Sequence, residues 1–371
     1  MTKQTYTDSM TDRTHSRSPY MEFAKLRSGA KFNLASSGIM KYPLAELPVK
    51  LEDLEISGPT VYGYPPLLER IAKHNGVSTD CVMHAAGTSM ANHLAFAATL
   101  EPGEEALVEW PTYELLTSTL EYLRVNVRYF NRRAEDGFRV DPEEVERKIT
   151  PQTRLVVVAN LHNPTGVFTD EAALRDVGEI AKKHGARVLV DEVYLEAFYE
   201  QRPRSAVQLG DHFLVTSSLT KAFGLGGLRC GWVLANPELT DRMRHIHDLY
   251  GVNAPHTAEL LSVIAFDNLD RVAARAKALL GANRPVLDQF LMSRDDIECV
   301  RPEFGTIAFP RLKQGSVEQL NRLSREKYET SVVPGSYFAM EEHFRVGIGG
   351  DPEMTREGFR RLASALDDIR K

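Results

Sequence analysis

The sequence predicts an α/β chain: a mostly parallel central sheet covered by helices, joined to a second, smaller α+β domain. Three observations carry that expectation. Short apolar runs at Ala106-Leu107-Val108, Leu155-Val156-Val157-Val158, Arg187-Val188-Leu189-Val190 and Phe213-Leu214-Val215 read as buried strands. Helical patterns alternate with them, which favours parallel pairing under a helical cover. Beyond these the pattern changes: Ala254 to Leu291 lacks strand signals, and the chain then mixes short strands with helices.

Taken in order, Pro142 to Ile149 reads as a short helix. Asp170 to His184 reads as a longer one, with Leu174, Val177, Ile180 and Ala181 on one face. Past Leu291, strand-like pieces at Thr306 to Phe309 and Phe344 to Ile348 accompany helices at Ser316 to Glu329 and Thr355 to Ile369. The early segment Phe32 to Leu47 has no local partner and is expected to cross to this later part. The expected division is an N-terminal arm (1–30), a large ligand-binding domain (51–280), and a small domain made of 31–50 plus 281–371.

Length and charge narrow the classes. A chain of 371 residues exceeds one ordinary core. Hydrophobic residues make up 43%, too many for a disordered chain. The net charge of −6 argues against nucleic acid or an anionic membrane as partner, because both call for a basic face. No apolar run approaches the ~18–20 residues of a membrane span. Met1 to Tyr20 is polar and lacks the apolar core of a secretory signal, so it is expected to be a mobile arm or a segment that orders against a partner subunit. Cys81, Cys230 and Cys299 show neither zinc spacing nor a disulfide framework, which points to a reducing cytoplasm and no metal. His245, His247 and His256 read as surface or interface histidines, and Arg132-Arg133 as a solvated loop.

The most informative stretch is Ser217-Ser218-Leu219-Thr220-Lys221-Ala222-Phe223-Gly224-Leu225-Gly226-Gly227-Leu228-Arg229-Cys230-Gly231. A lysine follows a strand, then a glycine-rich turn where backbone can approach a ligand, then an arginine whose planar fork suits a phosphate. Sheets of this kind place ligands at the carboxyl ends of their strands. The stretch resembles the Schiff-base signature of the class I/II aminotransferases, the pyridoxal-phosphate (PLP) enzymes of fold type I. Thr220 stands where the family usually has a second serine. The resemblance implies that Lys221 holds the cofactor as a Schiff base while Ser218 and Arg229 hold its phosphate.

Other motifs fall in the family's order. Ala86-Gly87-Thr88-Ser89 opens the helical Met90 to Leu100 and resembles the phosphate loop, making Gly87, Thr88 and Ser89 candidates; a helix start offers backbone donors to an anion. Tyr113 matches the aromatic that stacks on the cofactor ring. In Leu161-His162-Asn163-Pro164-Thr165-Gly166, Asn163 matches the residue that hydrogen-bonds the phenolic oxygen. In Val190-Asp191-Glu192-Val193-Tyr194, a carboxylate ends an apolar strand and needs a partner. The family supplies a protonated pyridine nitrogen for Asp191 and the phenolic oxygen for Tyr194. His343-Phe344-Arg345-Val346-Gly347 resembles the final motif, which implies that Arg345 grips the substrate carboxylate.

Two segments depart from the pattern. Thr60-Val61-Tyr62-Gly63-Tyr64 has unusual spacing; the resemblance implies a tyrosine here that crosses a homodimer interface to the neighbour's phosphate, with Tyr62 the candidate and Tyr64 the alternative. Leu34-Ala35-Ser36-Ser37-Gly38 lacks the commoner glycine wording of a segment that lines the substrate pocket, with Gly38 the candidate there. Asn253 lies in a loop that in the family approaches the neighbouring site.

The resemblance implies amino transfer between an amino acid and a 2-keto acid, with the Lys221 amine moving the proton at Cα. A lyase, decarboxylase or other Cα/Cβ reaction in the same site is the alternative. A non-catalytic regulator would need a fused DNA-binding module, for which the residues ahead of the fold leave no room.

Overall fold

A computed structural model of the chain describes residues 16–370. The apolar runs become the centre of a seven-stranded sheet. Its order is Val82–Ala86, Cys230–Leu234, Phe213–Ser218, Arg187–Asp191, Thr153–Ala159, Glu105–Trp110 and Asn126–Asn131. Cys230–Leu234 runs antiparallel to both of its neighbours, and all other pairs are parallel.

Parallel strands covered on both faces are apolar at successive positions, and their period of two sorts the side chains into two layers. Leu107, Val156, Val158, Val188, Val190, Phe213 and Val215 enter one core. Their neighbours Ala106, Val108, Leu155, Val157, Leu189 and Leu214 enter the other. Helix Glu171–Lys183 covers the first. Asp170 caps it by accepting from the Ala173 amide at 2.9 Å, and Leu174, Val177, Ile180 and Ala181 are buried. Each such buried aliphatic contributes about 1.5–3 kcal/mol relative to exposure.

Three strands had no clear signal. Asn126–Asn131 is a largely exposed edge strand. Val82–Ala86 is short and includes a histidine and two alanines. Cys230–Leu234 begins inside the glycine-rich motif.

A separate core gathers Leu34 and Ile39 with Leu280, Leu287, Phe290, Leu320, Val346, Phe359 and Leu362. Strand Phe32–Asn33 pairs in parallel with Thr330–Ser331, so the early segment does cross to the later part of the chain. Helix Leu269–Met292 runs between the two regions, with Val272 and Ala273 in the sheet core and Leu287 and Phe290 in the other. The segment expected as an arm falls partly outside the described residues. Its remainder, Pro19–Glu22 and Phe23–Arg27, is helical, with Tyr20 and Phe23 buried.

Candidate active site

The carboxyl ends of the parallel strands converge on a cavity of about 200 Å3. Strand Arg187–Asp191 ends on Asp191, Phe213–Ser218 ends on Ser218, and Thr153–Ala159 leads into the loop that carries Asn163. Thr88, Ser89, Tyr113, Asn163, Asp191, Tyr194, Ser218, Lys221 and Arg229 line the cavity, together with Asn92, Met21 and Ser37. Gly87, Gly38 and Arg345 stand directly behind that lining. Tyr62 and Tyr64 do not reach it and belong to another cavity or its rim: the Tyr62 hydroxyl donates to Asp248 at 2.9 Å, and the Tyr64 amide donates to Glu259 at 3.2 Å.

The Lys221 Nζ donates to the Ser37 hydroxyl at 3.0 Å. Packing behind it is tight at Gly38, where an added Cβ would lie 3.2 Å from the Lys221 Cα and Cδ and would need its neighbours to give by a few tenths of an ångström. Gly87 has φ +79°, and a side chain there would run into the Arg229 guanidinium. That guanidinium donates to the Ala86 carbonyl at 3.0 Å and the Gly226 carbonyl at 3.3 Å. Thr88 donates to the Ser218 hydroxyl at 2.9 Å. A hydroxyl pair, an arginine and a helix start therefore gather at one end of the cavity.

Asp191 lines the same cavity. Burial pushes its carboxyl up to about 6, opposed by Asn92, the Val193 amide and the charge of Lys221. Asn92 Nδ2 donates to it at 3.1 Å, and Thr216 fixes Asn92 by donating to its Oδ1 at 2.6 Å. The sequence motifs missed Asn92; its place one helical turn after Thr88 was the available signal. The Tyr194 hydroxyl is buried and has no hydrogen-bond partner. Leaving such a group unpaired costs about 1–3 kcal/mol, which a bound acceptor or donor in the cavity would remove.

Arg345 is fully buried. Its Nη1 donates to Asn163 Oδ1 at 2.9 Å, and its Nη2 donates to the Tyr20 hydroxyl at 2.8 Å and the Ala35 carbonyl at 3.3 Å, while Nε has no partner. Because arginine only donates, the Asn163 oxygen is committed to it and the Asn163 Nδ2 is left for the cavity.

Arg132 corrects the sequence reading. It is no solvated loop residue: it is buried and pairs with Glu109 at 2.7 Å. Burial pushes the Glu109 carboxyl up to about 7, but the Ala159 amide also donates to it at 2.7 Å, and arginine keeps its proton. The pair is therefore ionic. Arg133 is the exposed member. His245 is exposed and His247 half-buried, and the described residues hold no group of three or more metal-ligating side chains.

A strand-ended cavity with a lysine, a buried carboxylate and an arginine beside a helix start is the architecture of a fold type I PLP enzyme, and the comparisons agree. A solved PLP-dependent aminotransferase from Streptococcus suis superposes with a TM-score of 0.87 at 26% identity, covering 92% of this chain and 95% of that one. Residues 53–362 match the family model "Aminotransferase class I and II", and the chain belongs to that family. Among curated relatives, a capreomycidine synthase of Streptomyces vinaceus is 28% identical over 91% of this chain and 90% of its own. A probable aspartate/prephenate aminotransferase of Thermus aquaticus is 29% identical over 82% of each chain. The protein is a PLP-dependent aminotransferase. No helix among the described residues is long and apolar enough to cross a membrane.

Proposed function

We propose that Lys221 holds PLP covalently and moves the proton at the substrate's Cα, with the surrounding side chains dividing recognition and electrostatics. The observation that carries this reading is the unpartnered Tyr194 hydroxyl, buried in the same cavity as the Lys221 amine and the Asp191 carboxyl. The residues present fit the cofactor: each of its polar ends meets a group of matching chemistry.

When bound, PLP supplies an electron sink for charge left at Cα. Asp191 keeps a proton on the ring nitrogen by placing a negative charge beside it. Tyr194 and the Asn163 Nδ2 donate to the phenolic oxygen. Tyr113 offers its ring face to the cofactor ring. Ser218, Thr88, Ser89 and Arg229 hold the phosphate together with the amides at the start of helix Thr88–Thr99. Arg345 binds the substrate carboxylate, Asn163 orients that guanidinium, and Gly38 lets the neighbouring backbone close on Lys221.

The assignment of 51–280 as the large domain and 31–50 plus 281–371 as the small one is supported by the separate core around Leu34, Leu287 and Phe359. A homodimer is supported by exposed apolar residues in two segments that flank one cavity: Leu51, Ile56, Val61 and Tyr62 from one, Leu249, Tyr250 and Val252 from the other. A second copy of the chain is the occupant we assign to this face, with Tyr62 reaching the partner's phosphate. Cys81, Cys230 and Cys299 are all free, in keeping with a cytoplasmic location. The substrates are an amino acid and a 2-keto acid.

The test is stoichiometry. Holoenzyme mixed with an amino acid and no keto acid should release one keto acid per site and stop. A second reading, in which the same site also runs another Cα/Cβ course, is favoured by the relative named a synthase. Continued turnover of a single amino acid, with ammonia or carbon dioxide released, would establish it and overturn amino transfer as the main reaction.

A further inference from the structure

Tyr20 lies far from every motif of the family, yet it is a nearest neighbour of Arg345. Ser18 and Tyr20 bring it there. The Ser18 hydroxyl donates to Glu114 Oε2 at 2.6 Å, the Tyr20 amide donates to the same oxygen at 2.8 Å, and Ser18 also accepts from the Met21 amide at 3.1 Å. Glu114 thus fastens the N-terminal segment across the site. The Tyr20 ring packs edge-on against Tyr113 at 5.5 Å and Tyr337 at 5.9 Å, and is only 6% exposed. Met21, the next residue, lines the cavity and accepts from the Tyr113 hydroxyl at 3.5 Å.

The chemistry of the Tyr20–Arg345 contact is directional. The guanidinium has no acceptor, so the Tyr20 oxygen accepts and its own proton remains to be donated. Burial would raise the Tyr20 hydroxyl, but the charges of Arg345 and Lys221 and the hydrogen bond from Arg345 hold it below its ordinary value. A phenol polarised in this way is a stronger donor toward an anion.

We propose that Tyr20 is a second ligand for the substrate's α-carboxylate, donating its hydroxyl proton to one carboxylate oxygen while Arg345 donates to the anion. The inference rests on the reading of Arg345 as the carboxylate anchor. It makes Tyr20 a specificity-determining residue, supplied by a segment that Glu114 holds in place. The opposite reading makes Tyr20 a placeholder that the carboxylate must displace.

Tyr20→Phe separates the two, because it keeps the ring and removes only the hydroxyl. Holoenzyme is titrated with an amino acid and with the corresponding amino acid amide, read by the visible band of the bound cofactor. The expected result is a loss of roughly tenfold in binding of the acid, one charge-assisted hydrogen bond, with no change for the amide. KM should rise with kcat nearly unchanged, and Glu114→Gln should shift binding of the acid in the same direction by less. In an Arg345→Leu background the added effect of Tyr20→Phe should shrink, since the two donors act on one anion. Unchanged or tighter binding of the acid by Tyr20→Phe, or an equal loss with the amide, would overturn the inference. If Arg345→Leu leaves binding of the acid intact, the anchor reading itself fails, a result distinct from failure at Tyr20.

Discussion

Two sets of buried charge stand near the same edge of the sheet, and they are built to opposite rules. Glu109, Arg132 and His162 form a closed set. Arg132 spends its donors on Glu109, the Phe138 carbonyl at 2.7 Å and Thr169 at 3.4 Å. His162 joins the Pro111 carbonyl and the Thr165 hydroxyl, each at 2.7 Å, and burial holds its ring well below the ordinary histidine value. Every polar atom there has a protein partner. Around the cavity, by contrast, the Tyr194 hydroxyl and the Arg345 Nε are unpaired, and the Lys221 amine has one hydroxyl neighbour. Saturated charge makes a scaffold, since a half-satisfied buried network is costly. Unsaturated charge waits for a ligand. The closed set serves the open one: His162 ties the loop of Tyr113 to the loop of Asn163.

The comparison breaks most sharply at Lys221. Lys221→Ala should abolish turnover and the covalent link to the cofactor that borohydride fixes, as read by mass spectrometry; cofactor fixed at another lysine would end the assignment. Asp191→Ala should cost on the order of a hundred- to a thousandfold in kcat, the scale of a removed preorganised charge, with a much smaller loss of cofactor affinity. A near-normal rate would make this carboxylate structural. Arg345→Leu should lower kcat/KM by about a hundredfold, from ~1.5–3 kcal/mol per charged hydrogen bond lost, while the absorbance of the holoenzyme stays as it was.

The closed set answers in stability. Arg132→Met leaves Glu109 buried without its cation and should destabilise the fold by about 3–5 kcal/mol, measured by urea unfolding; a silent variant would remove the distinction between the two sets. The open set has a milder stability signature. Burial raises the Asp191 carboxyl from 3.8 to about 6, so its contribution to the cofactor-free fold is full below pH 4 and lost as pH rises through 6. Unfolding free energy should fall over that window by at most ~3 kcal/mol relative to Asp191→Asn, and parallel pH profiles would refute it. The smallest effect is expected at Tyr62. Tyr62→Phe should weaken cofactor binding about fivefold, the worth of one hydrogen bond of ~1 kcal/mol, and an active monomer by light scattering would remove its basis.

Much of the architecture was legible because parallel strands buried on both faces leave continuous apolar runs, as at Leu155 to Val158. The exposed strand Asn126–Asn131 leaves none. Residues of the recognised motifs could be singled out because backbone geometry imposes their spacing, as between Ser218 and Lys221. Arg132 was misread because two adjacent arginines resemble a solvated pair until Glu109, distant in sequence, is placed against one of them. Tyr20 left no signal at all: it belongs to a polar N-terminal stretch, and only the tertiary structure brings it to Arg345.

The reversed strand Cys230–Leu234 has a consequence for how the site tolerates change. Because it runs against its neighbour Phe213–Ser218, its beginning lies at the edge where that strand ends. Lys221 and Arg229 therefore sit on one hairpin connection, while the groups that face them arrive from distant parts of the chain. The spacing between Lys221 and Arg229 is set locally and does not depend on how the rest of the sheet is assembled. Insertions elsewhere at this edge can reshape the rest of the cavity and leave that spacing alone, whereas a single residue added between Gly224 and Leu228 would shift Lys221 against Arg229.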